Sequence, residues 1–188
     1  MPPKVKITRD SIIKTAVELV RIAGEEAVNA RAIATALGCS TQPIFSNFEN
    51  MEELQREIKN AAYEIYLGFL RSDAESGKYP EYKAFGMAYI RFAREERELF
   101  RMLFMCDREG EQLKPTVDYS ASVDLIVKAN GISREKAELM HLEMWMCVHG
   151  VATILATSYL ELDNELISDM VSDMYHGIRM RHIQEGTK

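Results

Sequence analysis

Cysteine is scarce in this chain and nothing about its placement suggests use. The three residues, Cys39, Cys106 and Cys147, are odd in number and follow no paired spacing. That argues against a disulfide framework and for a reducing compartment, with the thiols serving as small buried hydrophobes. Period-two alternation of apolar and polar residues is missing over any useful length, and so are clusters of β-branched residues, so no sheet is expected. The chain also lacks a Gly-rich phosphate loop, a Gly-x-Ser-x-Gly elbow and any cluster of His with carboxylates, which leaves no basis for an enzyme or a cofactor. Metal binding is not expected either, because His141 and His149 stand eight residues apart, an awkward helical chelate with no carboxylate at a recognised spacing. The opening segment MPPKVKITRD is basic but has no apolar stretch behind it, so it is not read as a secretory signal. Repeats, low-complexity tracts and disordered linkers are absent as well, and the two halves of the chain are expected to be joined rigidly.

What is present is helical patterning. Thr8 can cap a helix with Asp10 in its first turn, and Ile12, Ile13, Ala16, Val17, Val20 and Ala23 then share one face up to Gly24. Asn29 caps a short helix ended by Gly38. Ser40 is expected to cap a third that runs to about Asn47, with Pro43 at its third position, where a missing N–H costs nothing. A long helix over 51–72 follows, with Leu54, Ile58, Ala61, Ile65 and Phe69 at helical spacing, and it bridges the halves. Gly and Pro breaks then delimit helices near 80–94, 96–107 and 116–130, and Ser133 and Asp163 open two more, near 134–160 and 164–182. The expected class is all-α: a helix-turn-helix domain over 1–50, joined by the long helix to a ligand-binding and dimerisation domain over 51–188.

Charge is segregated along the chain. The net charge is −6, yet residues 1–48 hold six Lys/Arg against four Asp/Glu. A polyanion would therefore meet the N-terminal part while the acidic remainder faces away. Short helices around the turn Leu37-Gly38-Cys39-Ser40 form a helix-turn-helix pattern in which Gly38 supplies a positive φ. Ile33, Ala34, Leu37, Ile44 and Phe48 would close its core, with Cys39 plugging the junction. Thr41, Gln42 and Phe45 would then project from the third helix toward base edges, Gln42 offering paired hydrogen bonds to adenine and Thr41 a hydroxyl and a methyl. Arg31, in the first turn of the second helix, can grip phosphate, while Lys4, Lys6 and Arg9 form a basic arm. Ser40 and Asn47, at the two ends of the third helix, complete the expected DNA-binding set.

The stretch from Thr8 to Leu54 resembles the DNA-binding domain of the TetR family of transcriptional regulators. The likeness rests on Asn29, Arg31, the pair Ile33-Ala34, Gly38, Ser40 and Phe48. Two further segments, YIRFAREERELFRMLFM and Trp145-Met-Cys-Val-His149-Gly150, resemble the subgroup named for a Trp–His–Gly signature in its ligand domain. The resemblance implies a cytoplasmic homodimer that binds a double-stranded operator, represses, and is released by a small-molecule effector of unspecified identity. Departures stand at Phe45, where the family often has Tyr, and at Thr41, Glu49 and Met51, where it often has Lys. Fewer phosphate contacts predict modest operator affinity with a shallow salt dependence. A helical dimeric ligand-binding protein with weakened or lost operator binding is the alternative.

In the C-terminal half, residues 139–160 form the most apolar stretch, with Glu143 its only formal charge. Glu143, His141, His149, Gly150 and several hydroxyls inside it argue against a membrane span. A helix apolar nearly all the way round needs a second partner, here a second copy of the chain. Val151, Leu155, Ile167, Met170, Val171, Met174 and Ile178 are the expected dimer contacts. Trp145 and His149 share a helix face beside Gly150, expected to allow close backbone approach, and together they suggest a pocket wall with one polar handle. Phe92, Met102, Phe104, Met105 and Met144 would complete an adaptable apolar lining.

Overall fold

The computed structural model describes residues 7–106 and 119–184. Those residues form nine α-helices and one 3-10 turn, with no strand. The helices are α1 (Arg9–Ala23), α2 (Ala30–Ala36), α3 (Gln42–Asn47), α4 (Met51–Glu75), α5 (Glu81–Glu95), α6 (Arg97–Phe104), α7 (Ser120–Asn130), α8 (Arg134–Ala156) and α9 (Asn164–Gln184). They pack as two compact units. The first takes the chain up to Leu67 together with Glu96–Cys106, the second Gly68–Glu95 and the chain beyond Cys106.

In the first unit, local side-chain chemistry sets the helix ends. Thr8 accepts from the Ser11 N–H at 3.2 Å while the Thr8 N–H donates to the Ser11 hydroxyl at 3.0 Å, a reciprocal cap. Asn29 accepts from the N–H groups of Arg31 and Ala32 at 3.1 and 3.0 Å. Asn50 accepts from Glu53 N–H at 2.8 Å, capping α4, and the Glu53 carboxylate accepts from Glu49 N–H, one residue before that cap, at 2.6 Å. The core joins Ile12, Val20, Ile33, Ile44 and Leu54 with Leu99 and Phe100 of α6, all fully buried. Glu96, just before α6, ties back to α1 by two bonds from Arg21, 2.7 and 2.8 Å long.

Four local expectations need correction. Ser40 does not cap α3: Thr41 holds the N-cap position in helical conformation, makes no side-chain cap bond, and leaves Pro43 second in the helix. Arg9 belongs to no free basic arm, being bonded within the unit, and Lys4 and Lys6 lie outside the described residues. The helix expected to reach residue 160 stops at Ala156, where the Thr157 hydroxyl turns back to the Thr153 carbonyl at 2.8 Å and Ser158 takes φ +55°. The three cysteines are partly exposed rather than buried.

In the second unit α5, α7 and α9 pack against α8. Val123, Ile126, Ala137 and Met140 form a buried cluster backed by Tyr82, Val127, Ile132, Tyr175 and Ile178. Gly86 of α5 admits the Val148 methyl, which would lie 3.4 Å from an added Cβ. Phe92, fully buried, meets Phe69 edge-on at 5.3 Å, and Arg91 stacks on Phe69 while pairing with Asp73 at 2.8 Å.

Candidate nucleic-acid interface and effector domain

The turn between α2 and α3 is made by Gly38 at φ +64°, a backbone state that costs an L-residue about 1–2 kcal/mol. The Cys39 N–H then closes on the Ala34 carbonyl at 2.9 Å. With Ile44 and Phe48 buried and Leu37 half-buried, α3 turns Gln42, Phe45 and Ser46 outward, Phe45 being 51% exposed. Thr41 is half-buried and Ser40 exposed. Asn47 is spent on its own helix, its amide donating to the Pro43 carbonyl at 2.7 Å. Ser46, whose hydroxyl donates to the Gln42 carbonyl at 2.9 Å, is absent from the sequence reading, although its position four residues after Gln42 marks it. Arg31 stands exposed in the first turn of α2 with no carboxylate partner among the described residues.

The residues expected to line an effector pocket divide between the units. Met102, Phe104 and Met105 belong to the first, Phe92, Met144, Trp145 and His149 to the second. Met102 faces a pit of about 10 Å³ lined by Val20, Glu25, Val28, Gln55 and Ile58, room for one water and no effector. Phe104 packs on Tyr66 and Phe100, and Met105 is exposed. In the second unit Trp145 and His149 stack at 4.9 Å with planes 14° apart, and the Tyr89 hydroxyl meets His149 Nδ1 at 2.9 Å. Burial pushes the His149 imidazole below its ordinary pKa, so the ring is neutral. Phe92 and Met144 are core.

A parallel pair lies about two turns away on the same two helices. The Tyr82 hydroxyl meets His141 Nδ1 at 3.0 Å, with Tyr119 against the imidazole at 5.1 Å between centroids. His141 is likewise held neutral by burial, and burial raises the Tyr82 phenol. His141 Nε2 and Thr153 Oγ1 are buried without a hydrogen-bond partner. In the sequence His141 reads as an awkward metal ligand and as a polar residue that disfavours a membrane span; its orphaned nitrogen is visible only once Tyr82 is seen to occupy the other.

On the surface of the second unit α8 presents Leu139, Leu142, Trp145 and Met146, the last 61% exposed, with Gly150 beside them. Among the described residues, nothing outside the backbone of α8 itself lies within 4 Å of a Cβ at Gly150, so they do not make the close approach expected there. Of the seven expected dimer contacts, Val151, Leu155, Ile167 and Val171 are already buried in the chain's own core and cannot face a second copy. Met170, Met174 and Ile178 on α9 remain partly open.

Residues 82–175, half of the chain, match the family profile "Tetracyclin repressor-like, C-terminal domain". The chain belongs to the TetR family. Over 97% of its length it is 22% identical to an uncharacterized HTH-type transcriptional regulator of Mycobacterium tuberculosis, covering 86% of that protein. Its fold superposes on a solved TetR-family structure from Vibrio parahaemolyticus with a TM-score of 0.65 at 14% identity, covering 89% of this chain and 96% of that one. As a TetR-family transcriptional regulator it falls in a class of DNA-binding regulators. The all-α architecture expected from the sequence is the architecture of that family.

Proposed function

We propose that this chain is a cytoplasmic, homodimeric repressor that binds a double-stranded DNA operator and leaves it when a small-molecule effector binds, and that its ligand domain belongs to the Trp–His–Gly subgroup. DNA reading resides in residues 1–50 and effector binding with dimerisation in residues 51–188. The observation that carries the reading is the outward face of α3: Gln42, Phe45 and Ser46 are exposed, as is Arg31 in the first turn of α2, which has no carboxylate partner among the described residues. Gln42 matches adenine, Phe45 a thymine methyl, and Arg31 a phosphate. Thr41, at the N-terminal edge of that face, is a further base-edge candidate.

The dimer forms on the exposed stripe of α8, Leu139, Leu142, Met146 and Gly150, flanked by Met170, Met174 and Ile178 of α9. Only 39% of the most apolar window of α8 is buried in one chain, too little for a helix of that composition to be left uncovered. Glu143 and His141 within it disfavour lipid and favour a protein partner. The effector is a mostly apolar molecule with a hydrogen-bonding group, met by His149 with the unpartnered Thr153 hydroxyl one turn further along α8, or by the unpartnered His141 Nε2. Effector and operator oppose each other reciprocally, through α4, whose residues run from one unit into the other.

Selection of duplexes from a random library tests the reading. The protein is expected to enrich one pseudo-palindromic sequence; Arg31→Ala should then lower the salt slope by about one unit, and Gln42→Ala should relax discrimination at one position by about 1–3 kcal/mol. Failure to enrich any sequence sinks it. The exposed Phe45 and the exposed acidic Glu49 favour, in that event, a dimeric ligand-binding protein that has lost its operator.

A further inference from the structure

Arg9, the first residue of α1, makes contacts that no solvent-facing cation of a basic arm would make. Its Nη1 donates to the Asn47 carbonyl at 2.8 Å; its Nη2 lies 2.8 Å from Glu53 and 3.3 Å from Glu57; and its guanidinium sits 4.2 Å above the Phe48 ring. Asn47 is the last residue of α3, so the carbonyl is one of those a helix end leaves without an internal partner, and a cation there meets the negative end of the helix. Phe48 follows in extended conformation with its ring buried, fixing how the chain leaves α3. Glu53, in the first turn of α4, also holds the segment that enters the helix, its carboxylate accepting from Glu49 N–H. One side chain thus fastens the end of α3, the exit residue and the first turns of α4 to α1, all inside the first unit.

Two physical points give this arrangement a function. With six residues α3 is too short to hold its own conformation, so its pose is set by what grips its ends. Gly38 and the α2 turn grip the N-terminal end, and Arg9 grips the other. Secondly, two carboxylates face this one guanidinium, so its charge is already neutralised and offers a phosphate nothing.

We infer that Arg9 is a positioning residue for DNA reading: it sets the pose of α3 through the Asn47 carbonyl and the Phe48 ring, and makes no phosphate contact. The inference rests on the DNA-binding function proposed above. The planar fork and the stack are both needed, so lysine cannot replace it, although lysine keeps the charge.

The test uses the full-length protein, the duplex enriched by selection with the wild type, and a scrambled duplex of equal length. Affinities are measured across a potassium chloride series for the wild type, Arg9→Gln and Arg9→Lys, and amide hydrogen exchange is followed without DNA. Loss of a charge-assisted bond predicts that Arg9→Gln weakens the selected duplex by about tenfold or more. Its salt slope and its affinity for the scrambled duplex should stay those of the wild type, and exchange should quicken across residues 42–48 but not across α2. Arg9→Lys, which keeps a cation between the two glutamates and so keeps the fold, should move the same readouts in the same direction by a smaller amount. A slope lower by about one unit with equal loss on both duplexes would mean a phosphate contact and overturn the inference. Wild-type behaviour of Arg9→Lys in every readout would overturn it too, since charge alone would then suffice. If the wild type enriches no duplex, the parent reading fails and this role in DNA reading with it; unchanged selected-duplex affinity in Arg9→Gln of a protein that does bind refutes this role alone.

Discussion

Gly38 shows how much a single residue settles. Its φ of +64° belongs to the left-handed region, and among the described residues none but its chain neighbours lies within 4 Å of where a Cβ would stand, so the cost of a side chain there is backbone strain. Gly38→Ala should therefore lower stability by about 1–2 kcal/mol in a thermal melt without distorting the core. Gly150 makes the opposite case, lying inside α8 with open space around it in one protomer; there alanine should stabilise an isolated protomer by up to about 1 kcal/mol. Equal melting temperatures for Gly38→Ala and the wild type would remove the reason for glycine at the turn. At this scale the caps were legible: Thr8, Asn29, Ser133 and Asp163 each accept from an N–H two or three residues on, a relation contained in the local sequence. Ser40 was not, because Ser40 and Thr41 are both acceptable caps and the choice fell to how Ile44 and Phe48 seat in the core.

Among the helices, α8 poses the problem that periodicity cannot solve. Apolar on nearly every side, it could have turned either of two faces inward. The face through Met144, Val148, Val151 and Leu155 is taken by the chain's own α5, α7 and α9, leaving Leu139, Leu142 and Met146 outside. The proposed dimer must use the leftover face, and Met146→Glu should convert dimer to monomer in sedimentation analysis while leaving the helical circular dichroism unchanged. A dimer that persists in Met146→Glu and in Leu142→Glu places the interface elsewhere. The face of α1 was legible because polar residues occupy its other side, whereas that of α4 was legible only as far as Ile58: beyond it Ala62 and Tyr66 are buried, and the expected Ala61, Ile65 and Phe69 are only partly so; α8 offers no such contrast.

For the molecule as a whole, acid is the condition that burial makes costly. His141 and His149 are neutral in the fold, their pKa values pushed by burial below the ordinary 6.5. Between that value and the lower folded one the unfolded chain binds more protons, so stability is complete above about pH 6.5 and declines as pH falls through this window. Glu53 and Glu143 act further down. Glu53 is held low by the Glu49 N–H and by Arg9. Burial would raise Glu143, but its bonds to His182 and Arg181 outweigh that and hold it low. Stability from both carboxylates is present above their ordinary 4.5 and lost as pH drops through their folded values. Melting temperatures should fall from pH 7 to pH 5, and His141→Gln should flatten that fall; a flat wild-type profile would show the imidazoles to be freely solvated. The sequence by itself determined the helical class, nearly every helix boundary, the Gly38 turn and the outward Gln42 and Phe45, because each depends on residues within about a turn of one another. Tertiary structure alone decided that α6 completes the core of the first unit, that Arg9 is an internal fastener, that His141 shares Tyr82 and keeps one nitrogen unpartnered, and which side of α8 stays exposed. Those outcomes depend on which segments meet across tens of residues, and the spacing of side chains along one helix carries no record of what lies opposite.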